Sequence, residues 1–189
     1  MRQDSTKKEE TRRRMLDAMH RGFRSKGYDA AGVDGLAKAA GVTSGAFYKH
    51  FGSKADAFKE SVALGVEEFR AAVEDFQKKH GDNWLEEFGR FYLGEKRCTD
   101  LAESCGLQSL SPEVMRSDTT IRKLFQLELQ RAASSFNQGL DRSNQQDELD
   151  RTWSKLALLV GGVTLARAVS DPSLADEIAD AVFKALVTK

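Results

Sequence analysis

Apolar residues recur at every third or fourth position along most of the chain, a spacing that places side chains on one face of an α-helix. The first such stripe consists of Met15, Ala18, Met19, Gly22 and Phe23. No segment shows the strict alternation of apolar and polar residues that is typical of a half-buried β-strand. The pattern therefore predicts an all-α protein of about nine helices.

Two very short helical segments follow the first helix. One covers roughly residues 33–40, and the other carries Phe47 and Phe51, four positions apart, on one face. Ser53 then opens a sequence that resembles a capping box, so a long helix is predicted to begin there. Its apolar period continues to about residue 81.

The second half of the chain continues the pattern with longer helices. Residues 94–104 lose the helical period and are predicted to form a loop. A short element follows and is expected to end at Ser111-Pro112, because proline interrupts a helix. The last two helices are predicted at residues 152–170 and 174–187.

Charge is distributed unevenly along the sequence. The 189 residues contain 29 Lys and Arg and 29 Asp and Glu, and a net charge of zero argues against binding to a polyanion such as DNA. However, residues 1–60 hold 13 basic and 8 acidic side chains, whereas residues 61–189 hold 16 and 21. The sequence therefore predicts two domains, residues 1–55 and 56–189, of which the first would meet DNA.

Several classes of function find no support in the sequence. The longest apolar run, about Leu156–Ala166, is too short to span a bilayer, and the N-terminus has no hydrophobic signal segment. No nucleotide-binding, hydrolase or metalloprotease motif is present, so no enzyme activity is expected. His20, His50 and His80 lack ligand spacing, so neither a metal nor a cofactor is expected, and His20 is predicted to lie on the helix surface. These features predict a cytoplasmic protein without a membrane partner.

Residues 32–51, GVDGLAKAAGVTSGAFYKHF, have the pattern of a helix-turn-helix motif. Small residues occur where the two helices must cross, and Phe47 and Phe51 give the second helix a buried face. The outward positions of that helix are small or polar, which suits a helix that enters the major groove of DNA. The candidate DNA-binding residues are Thr43, Ser44, Gly45, Tyr48, Lys49, His50 and, just after the motif, Lys54.

Two flanking features agree with a DNA-binding role. The start of the helix after the motif offers free N–H groups and a positive dipole end beside Lys54, an arrangement suited to a phosphate. Arg12, Arg13 and Arg14 would add positive charge nearby. An ordinary solvated helix start explains the three arginines equally well.

The segment GYDAAGVDGLAKAAGVTSGAFYKHFGSKADAF, residues 27–58, resembles the DNA-binding region of TetR/AcrR-type transcriptional repressors. The match departs at Gly32, where the family usually has a capping Thr or Ser. The resemblance implies an all-α homodimer with a three-helix operator-binding unit and a larger effector-binding and dimerisation domain. It also implies that Tyr48 contacts the DNA backbone, that Lys54 holds a phosphate and that Thr43, Ser44 and Gly45 lie at the groove.

Dimerisation has an independent argument in the sequence. Residues 152–170 are apolar nearly all round, which is typical of a helix buried on most of its faces. Gly161 and Gly162 would let another backbone approach closely. We therefore predict a homodimer through the helices at 152–170 and 174–187; the alternative is that the first of these is the central core helix of a monomer.

An effector pocket is predicted among aromatic residues of the second domain. Its candidate lining comprises Phe88, Tyr92, Cys105, Phe125 and Trp153, although aromatic residues at helical spacing also serve as plain core. Cys98 and Cys105 are candidates for redox or electrophile sensing, since Lys96 and Arg97 precede Cys98 and a nearby cation lowers a thiol pKa. The alternative is that one cysteine is buried and structural and the other is exposed and incidental.

The function that these features predict is a ligand-responsive transcriptional repressor. It would bind a palindromic operator as a homodimer and be released by a small-molecule or thiol-reactive effector. Two alternatives stay open: a helical small-molecule-binding or scaffold protein without operator binding, and a transcriptional activator of the same fold.

Overall fold

A computed structural model describes residues 2–140 and 148–188. Over these two ranges the regular elements are all helical, and the predicted all-α fold is confirmed. The nine helices of the described ranges are α1 (Arg2–Ala30), α2 (Val33–Ala39), α3 (Ser44–Phe51), α4 (Lys54–His80), α5 (Trp84–Leu93), α6 (Gly106–Arg116), α7 (Thr119–Gln138), α8 (Glu148–Ala168) and α9 (Pro172–Val187).

The boundaries of the short N-terminal helices follow from local chemistry. Gly27 interrupts α1 with φ +75°, and Gly41 makes the turn between α2 and α3 with φ +70°, a backbone conformation that disfavours any side chain. Thr43 caps α3, its hydroxyl accepting a hydrogen bond from the amide of Ala46 at 3.2 Å. The Ser53 hydroxyl caps α4 in the same way, at 3.0 Å from the amide of Asp56.

The prediction that a short element ends at Ser111-Pro112 is wrong. Helix α6 continues through Pro112 to Arg116, although proline cannot donate the amide hydrogen bond of a regular turn. Leu107 and Leu110 before the proline and Val114 after it are all buried. Burial on both sides of Pro112 offsets the roughly 3 kcal/mol that proline costs inside a helix.

The predicted loop before α6 contains two 3₁₀ turns, Lys96–Cys98 and Leu101–Glu103.

Two hydrophobic cores lie along the length of α4. The N-terminal core joins α1, α2, α3 and the first turns of α4, and it also takes in Leu110 and Val114 of α6 and Ile121 of α7. The second core packs the rest of α4 against α5, α7, α8 and α9. Helix α4 therefore belongs to both cores, so a shift of this helix would be felt in each of them. None of the described helices is long and apolar enough to cross a membrane.

Candidate nucleic-acid interface and inner cavity

Helix α3 is anchored on one side and open on the other. Phe47 and Phe51 are buried, and Phe47 packs edge-to-face against Tyr48 with ring centroids 5.3 Å apart. The Ser44 hydroxyl donates a hydrogen bond to the carboxylate of Asp34 on α2, which ties the two helices of the motif together. Helix α3 is therefore anchored to the N-terminal core and to α2, with its polar face outward.

Most of the predicted DNA-binding residues lie on that outward face. Thr43, Gly45, Tyr48 and Lys49 are exposed, and Tyr48 keeps 51% of its surface accessible. Ser44, His50 and Lys54 are half-buried. The side chains thus form one accessible polar surface at the turn and along α3.

Lys54 lies where α4 begins, directly after its cap. Its Nζ is 4.5 Å from the centre of the Tyr28 ring and 3.3 Å from the carbonyl oxygen of Asp29. The Asp56 carboxylate accepts a hydrogen bond from Ser53, so a negative charge also stands in this first turn. Lys54 is positioned beside the free amides of α4, and its ammonium lies opposite no carboxylate within 4 Å in the described part of the chain.

The Arg12 side chain makes contacts within the protein, to Glu60 and Phe51. Its guanidinium makes two hydrogen bonds to the Glu60 carboxylate, at 2.6 and 2.7 Å, and lies 4.9 Å from the centre of the Phe51 ring. Arg13 and Arg14 are exposed. Of the three adjacent arginines, two therefore remain on the surface near the motif.

A polar cluster of buried His20 and Arg24 with the half-exposed Glu68 joins α1 to α4, and the prediction that His20 lies on the surface is wrong. His20 is only 1% exposed, and its Nε2 is 3.1 Å from the carboxylate of Glu68. Arg24, one turn later, donates from Nη1 to Glu68 at 3.3 Å and to the carbonyl oxygen of Ser104 at 2.7 Å. The cluster therefore connects the first helix of the N-terminal core to α4 and to the segment before α6.

The ionisation of this cluster follows from its burial and its pairing. Burial acts to raise the pKa of Glu68, but the hydrogen bond from His20 and the charges of His20 and Arg24 outweigh it and lower that pKa. Burial lowers the pKa of Arg24, and the nearby carboxylates of Glu68 and Glu103 offset this only in part. Glu68 is therefore a carboxylate at neutral pH, and Arg24 is a cation held in a poorly solvated place.

Two glycines allow His20 to fit. A Cβ on Gly65 of α4 would stand 2.8 Å from the Cα of Gly106 on α6 and 3.0 Å from the His20 ring. A Cβ on Gly106 would be 2.5 Å from the Cα of Gly65. The α4 and α6 backbones therefore touch at this point, and the imidazole fills the space beside them.

A cavity of about 230 Å³ adjoins the cluster. Three of the predicted pocket residues, Phe88, Tyr92 and Cys105, line it. Phe125 instead packs at the junction of the two cores, and Trp153 is 39% exposed on α8; neither lines this cavity. The lining that the sequence did not predict includes Arg24, Glu68, Phe69 and Lys96.

The two cysteines are separate free thiols with different surroundings. Cys98 is exposed, whereas Cys105 is buried at the cavity. Burial raises the pKa of the Cys105 thiol, and the Tyr92 hydroxyl beside it lowers that pKa only partly. Cys105 is therefore mainly protonated at neutral pH, which disfavours the thiolate that reacts with electrophiles.

Helices α8 and α9 each leave an apolar face exposed. Leu149 and Trp153 of α8 are 62% and 39% exposed, and Leu174 of α9 is 41% exposed. A Cβ on Gly161 would meet nothing within 4 Å, whereas one on Gly162 would press against Val182 of α9. Gly162 thus serves the packing of α8 on α9, and Gly161 faces outward.

The outward polar face of α3, the tight turn and the capped start of α4 define a helix-turn-helix protein of the DNA-binding class. A family model described as "Bacterial regulatory proteins, tetR family" matches residues 15–60. The HTH-type transcriptional regulator AcrR of Shigella flexneri is 38% identical over 71 residues, which is 38% of this chain and 33% of that protein. The sequence likeness to tetR-type bacterial regulatory proteins therefore lies in the N-terminal part of the chain, which contains the helix-turn-helix.

Solved structures show the same fold over nearly the whole chain. A TetR-family regulator from Agrobacterium tumefaciens has a TM-score of 0.78 at 15% identity, covering 96% of this chain and all of that one. A TetR regulator from Legionella pneumophila has a TM-score of 0.75 at 15% identity, covering 91% of this chain and 95% of that one. At these identities the likeness concerns the fold, whereas the curated relative is matched over only about a third of its length.

Proposed function

We propose that this protein is a ligand-responsive transcriptional repressor that acts in the cytoplasm as a homodimer on a palindromic operator. The observation that carries the proposal is the outward polar face of the anchored helix α3, with Tyr48 and Lys49 exposed and Lys54 beside the capped start of α4. A small-molecule or thiol-reactive effector would release the operator.

The DNA contacts divide into two kinds. Thr43, Ser44 and Gly45 stand at the N-terminus of α3, where small side chains let the backbone approach base edges in the major groove. Tyr48, Lys49 and His50 stand further along the helix, and Lys54 at the start of α4 would hold a phosphate with the help of free amides. The first group would contribute to sequence selectivity and the second group to affinity.

The exposed apolar faces of α8 and α9 support dimerisation. Trp153, Ala157 and Thr164 share one face of α8, and Leu174, Ile178 and Ala181 share one face of α9, at spacings of three, four or seven positions. A two-fold dimer would cover both faces at once and place two α3 helices about 34–36 Å apart or at a multiple of that spacing. The operator would then be an inverted repeat.

Release would occur by a shift between two states of the dimer. In one state the spacing of the two α3 helices fits the operator, and in the other it does not. An effector that binds the second state more tightly lowers operator affinity, and the size of the decrease is limited by the difference between the effector's affinities for the two states. Helix α4 belongs to both cores, and α1 is tied to it through Glu68, so an effector in the cavity reaches the DNA-binding unit through short contacts. The raised pKa of Cys105 favours a non-covalent effector over a thiol-reactive one at that residue.

The test is a double substitution, Tyr48→Ala with Lys54→Ala, in a binding assay on DNA from the promoter beside the protein's own gene. We expect operator affinity to fall at least about tenfold, because a base or phosphate contact contributes on the order of 1–3 kcal/mol. Lys123→Ala, an exposed lysine on α7, is the matched control and should bind as the wild type does. Circular dichroism checks that the double variant still folds.

Two results would contradict the proposal. Unchanged affinity in the double variant would show that α3 is not the DNA-reading helix, and no salt-sensitive binding by the wild type at any candidate operator would favour a scaffold or ligand-binding protein. A rise in transcription on binding would identify an activator of the same fold.

A further inference from the structure

The inner cavity has a polar end with unused hydrogen-bond donors. Arg24 and Tyr92 both line it and are 8% and 2% exposed, yet in the described structure the Arg24 Nε has no hydrogen-bond partner and the Tyr92 hydroxyl has only the weakly bonding Cys105 thiol beside it. A buried donor without an acceptor costs about 1–3 kcal/mol. A ligand oxygen placed between these two donors would recover that cost.

Lys96 adds a positive charge to the lining of the same cavity. Its Nζ donates to the carbonyl oxygen of Glu103, and over the described ranges no carboxylate lies within 4 Å of it. The two acidic residues of the lining are already engaged, Glu68 by His20 and Arg24, and Glu103 by Arg21. The remaining hydrogen-bond donors of the lining, on Arg24, Lys96 and Tyr92, are cationic or neutral. The polar end of the cavity therefore favours an anion.

Part of the cavity lining is aromatic. Phe69 and Phe88 meet edge-to-face at 5.7 Å, and Phe88 stacks on Tyr92 at 5.4 Å. Such a wall favours another flat ring, which can add an edge-to-face or offset contact of its own. The volume of about 230 Å³ is below the roughly 300 Å³ at which ordinary ligand pockets begin, so it suits a single ring.

We propose that this cavity binds a single-ring aromatic carboxylate, with its ring on the Phe69–Phe88 wall and its carboxylate on Arg24 and the Tyr92 hydroxyl. The carboxylate on Nε would place a second negative charge beside Glu68 on the same guanidinium, which weakens the bonds that Nη1 makes to Glu68 and to the Ser104 carbonyl. Those two contacts are the ones that hold Arg24 of α1 to α4 and to the segment before α6. A ligand bound in the cavity therefore weakens the contact between α1 and α4. The effect of this weakening on DNA binding rests on the proposed function, whereas the binding of the ligand does not.

The binding is tested by titration calorimetry on the full chain at pH 7. The probes are benzoate, its neutral analogue benzamide, its cationic analogue benzylamine and the saturated cyclohexanecarboxylate. Benzoate is expected to bind at least about tenfold more tightly than each of the other three. Benzamide lacks the negative charge and benzylamine reverses it, so both lose the charged hydrogen bond. Cyclohexanecarboxylate keeps the charge but loses the aromatic contact. Equal or tighter binding of benzamide or benzylamine overturns the anion assignment, and equal binding of cyclohexanecarboxylate overturns the aromatic one.

Tyr92→Phe separates the site from the fold. It keeps the ring and removes a buried hydroxyl whose neighbour is the weakly bonding Cys105 thiol, so thermal stability should change little, while benzoate affinity falls about tenfold or more. Lys96→Gln should also weaken benzoate binding, whereas Lys123→Gln on the outer surface of α7 should not. Unchanged benzoate affinity in both Tyr92→Phe and Lys96→Gln overturns the site.

The outcome for DNA is measured separately, on the same promoter DNA as the double variant above. Benzoate binding that lowers operator affinity supports the whole scheme, and binding without any effect on DNA overturns the coupling through Arg24. Operator binding with no benzoate binding overturns the ligand class and leaves the regulator intact. Benzoate binding in a chain that binds no DNA overturns the proposed function and leaves the site intact.

Discussion

Gly32 stands at the N-cap of α2 and makes no side-chain capping bond. Its backbone is extended, with φ −68° and ψ 144°, which any residue can adopt, and a Cβ there would meet nothing within 4 Å. The orphan amides in the first turn of α2 are therefore left to water. A serine hydroxyl at this position could accept from one of them without any change elsewhere.

We expect Gly32→Ser to raise the free energy of unfolding by a few tenths of a kcal/mol, which is the usual advantage of serine over glycine at an N-cap. Urea denaturation of the two proteins measures it, with Gly32→Ala as the control that adds a Cβ without an acceptor. A stability gain equal in both variants would show that reduced chain entropy, not capping, is responsible.

The Glu68 carboxylate makes stability depend on pH. Because its folded-state pKa is below the ordinary value of 4.5, its contribution is present above that pH and is lost as the pH falls through the folded-state pKa. Glu68→Gln should therefore be destabilised at neutral pH and lose less stability than the wild type on acidification below about pH 4.5. Denaturation at pH 7 and pH 4 measures the difference. Glu67→Gln is the control, because the Glu67 carboxylate pairs with Arg70 on the surface.

At the level of elements, α4 meets α6 through the backbone contact of Gly65 and Gly106. Most helix pairs keep their axes 8–10 Å apart because side chains intervene. Here the two glycines remove the side chains, and the His20 ring of α1 occupies the remaining space. Three helices therefore meet at one point, and this point has no room for a methyl group.

We expect Gly65→Ala to destabilise the protein by roughly 1–3 kcal/mol, because overpacking exceeds the gain in helix propensity. Gly35→Ala is the matched control: a Cβ on Gly35 of α2 meets nothing within 4 Å, so the same exchange should stabilise the protein by up to about 1 kcal/mol. Denaturation midpoints of the two variants decide the question. A stable Gly65→Ala protein would mean that α4 and α6 can separate at little cost.

The helices could be predicted from the sequence, and the polar cluster between them could not. The stripe of Met15, Met19 and Phe23 repeats every four residues, so its buried face is visible locally. His20 and Arg24 each follow a buried residue of that stripe, which is the only local sign that they lie near the core. Their partner Glu68 is more than forty positions away, and such pairing depends on how helices pack.

The short α3 helix and its exposed residues can be predicted from the sequence for a related reason. Its pattern depends on a glycine turn, a capping threonine and two phenylalanines within one short segment, all of which act locally. Pro112 misled the prediction because burial of Leu107, Leu110 and Val114 outweighs a local rule. Phe125 and Trp153 were assigned to the pocket by residue type alone, and residue type does not specify which face of a helix turns inward.

At the scale of the whole molecule, the proposed dimer would form through the exposed apolar faces of α8 and α9. Ala157 lies at the middle of the α8 face and is exposed, so a charge there leaves the packing of one chain undisturbed. In a dimer the same charge would be buried without a partner, which is strongly unfavourable.

Ala157→Glu should therefore convert the dimer to a folded monomer, measured as molecular mass by light scattering at micromolar concentration. Gln130→Glu, which adds the same charge at an exposed position of α7, should leave the dimer intact. If both variants keep the mass of two chains, the α8 and α9 faces are not the interface.

In vitro selection tests the central claim most directly, because it asks the wild-type protein to choose its DNA from a random double-stranded library. The account predicts enrichment of inverted repeats whose half-sites lie about 10 base pairs, or a multiple of one helical turn, apart. Selection with the Tyr48→Ala, Lys54→Ala protein should enrich none of them. Failure of the wild-type protein to enrich any sequence would contradict operator binding, and enrichment of single, unpaired half-sites would contradict the dimer.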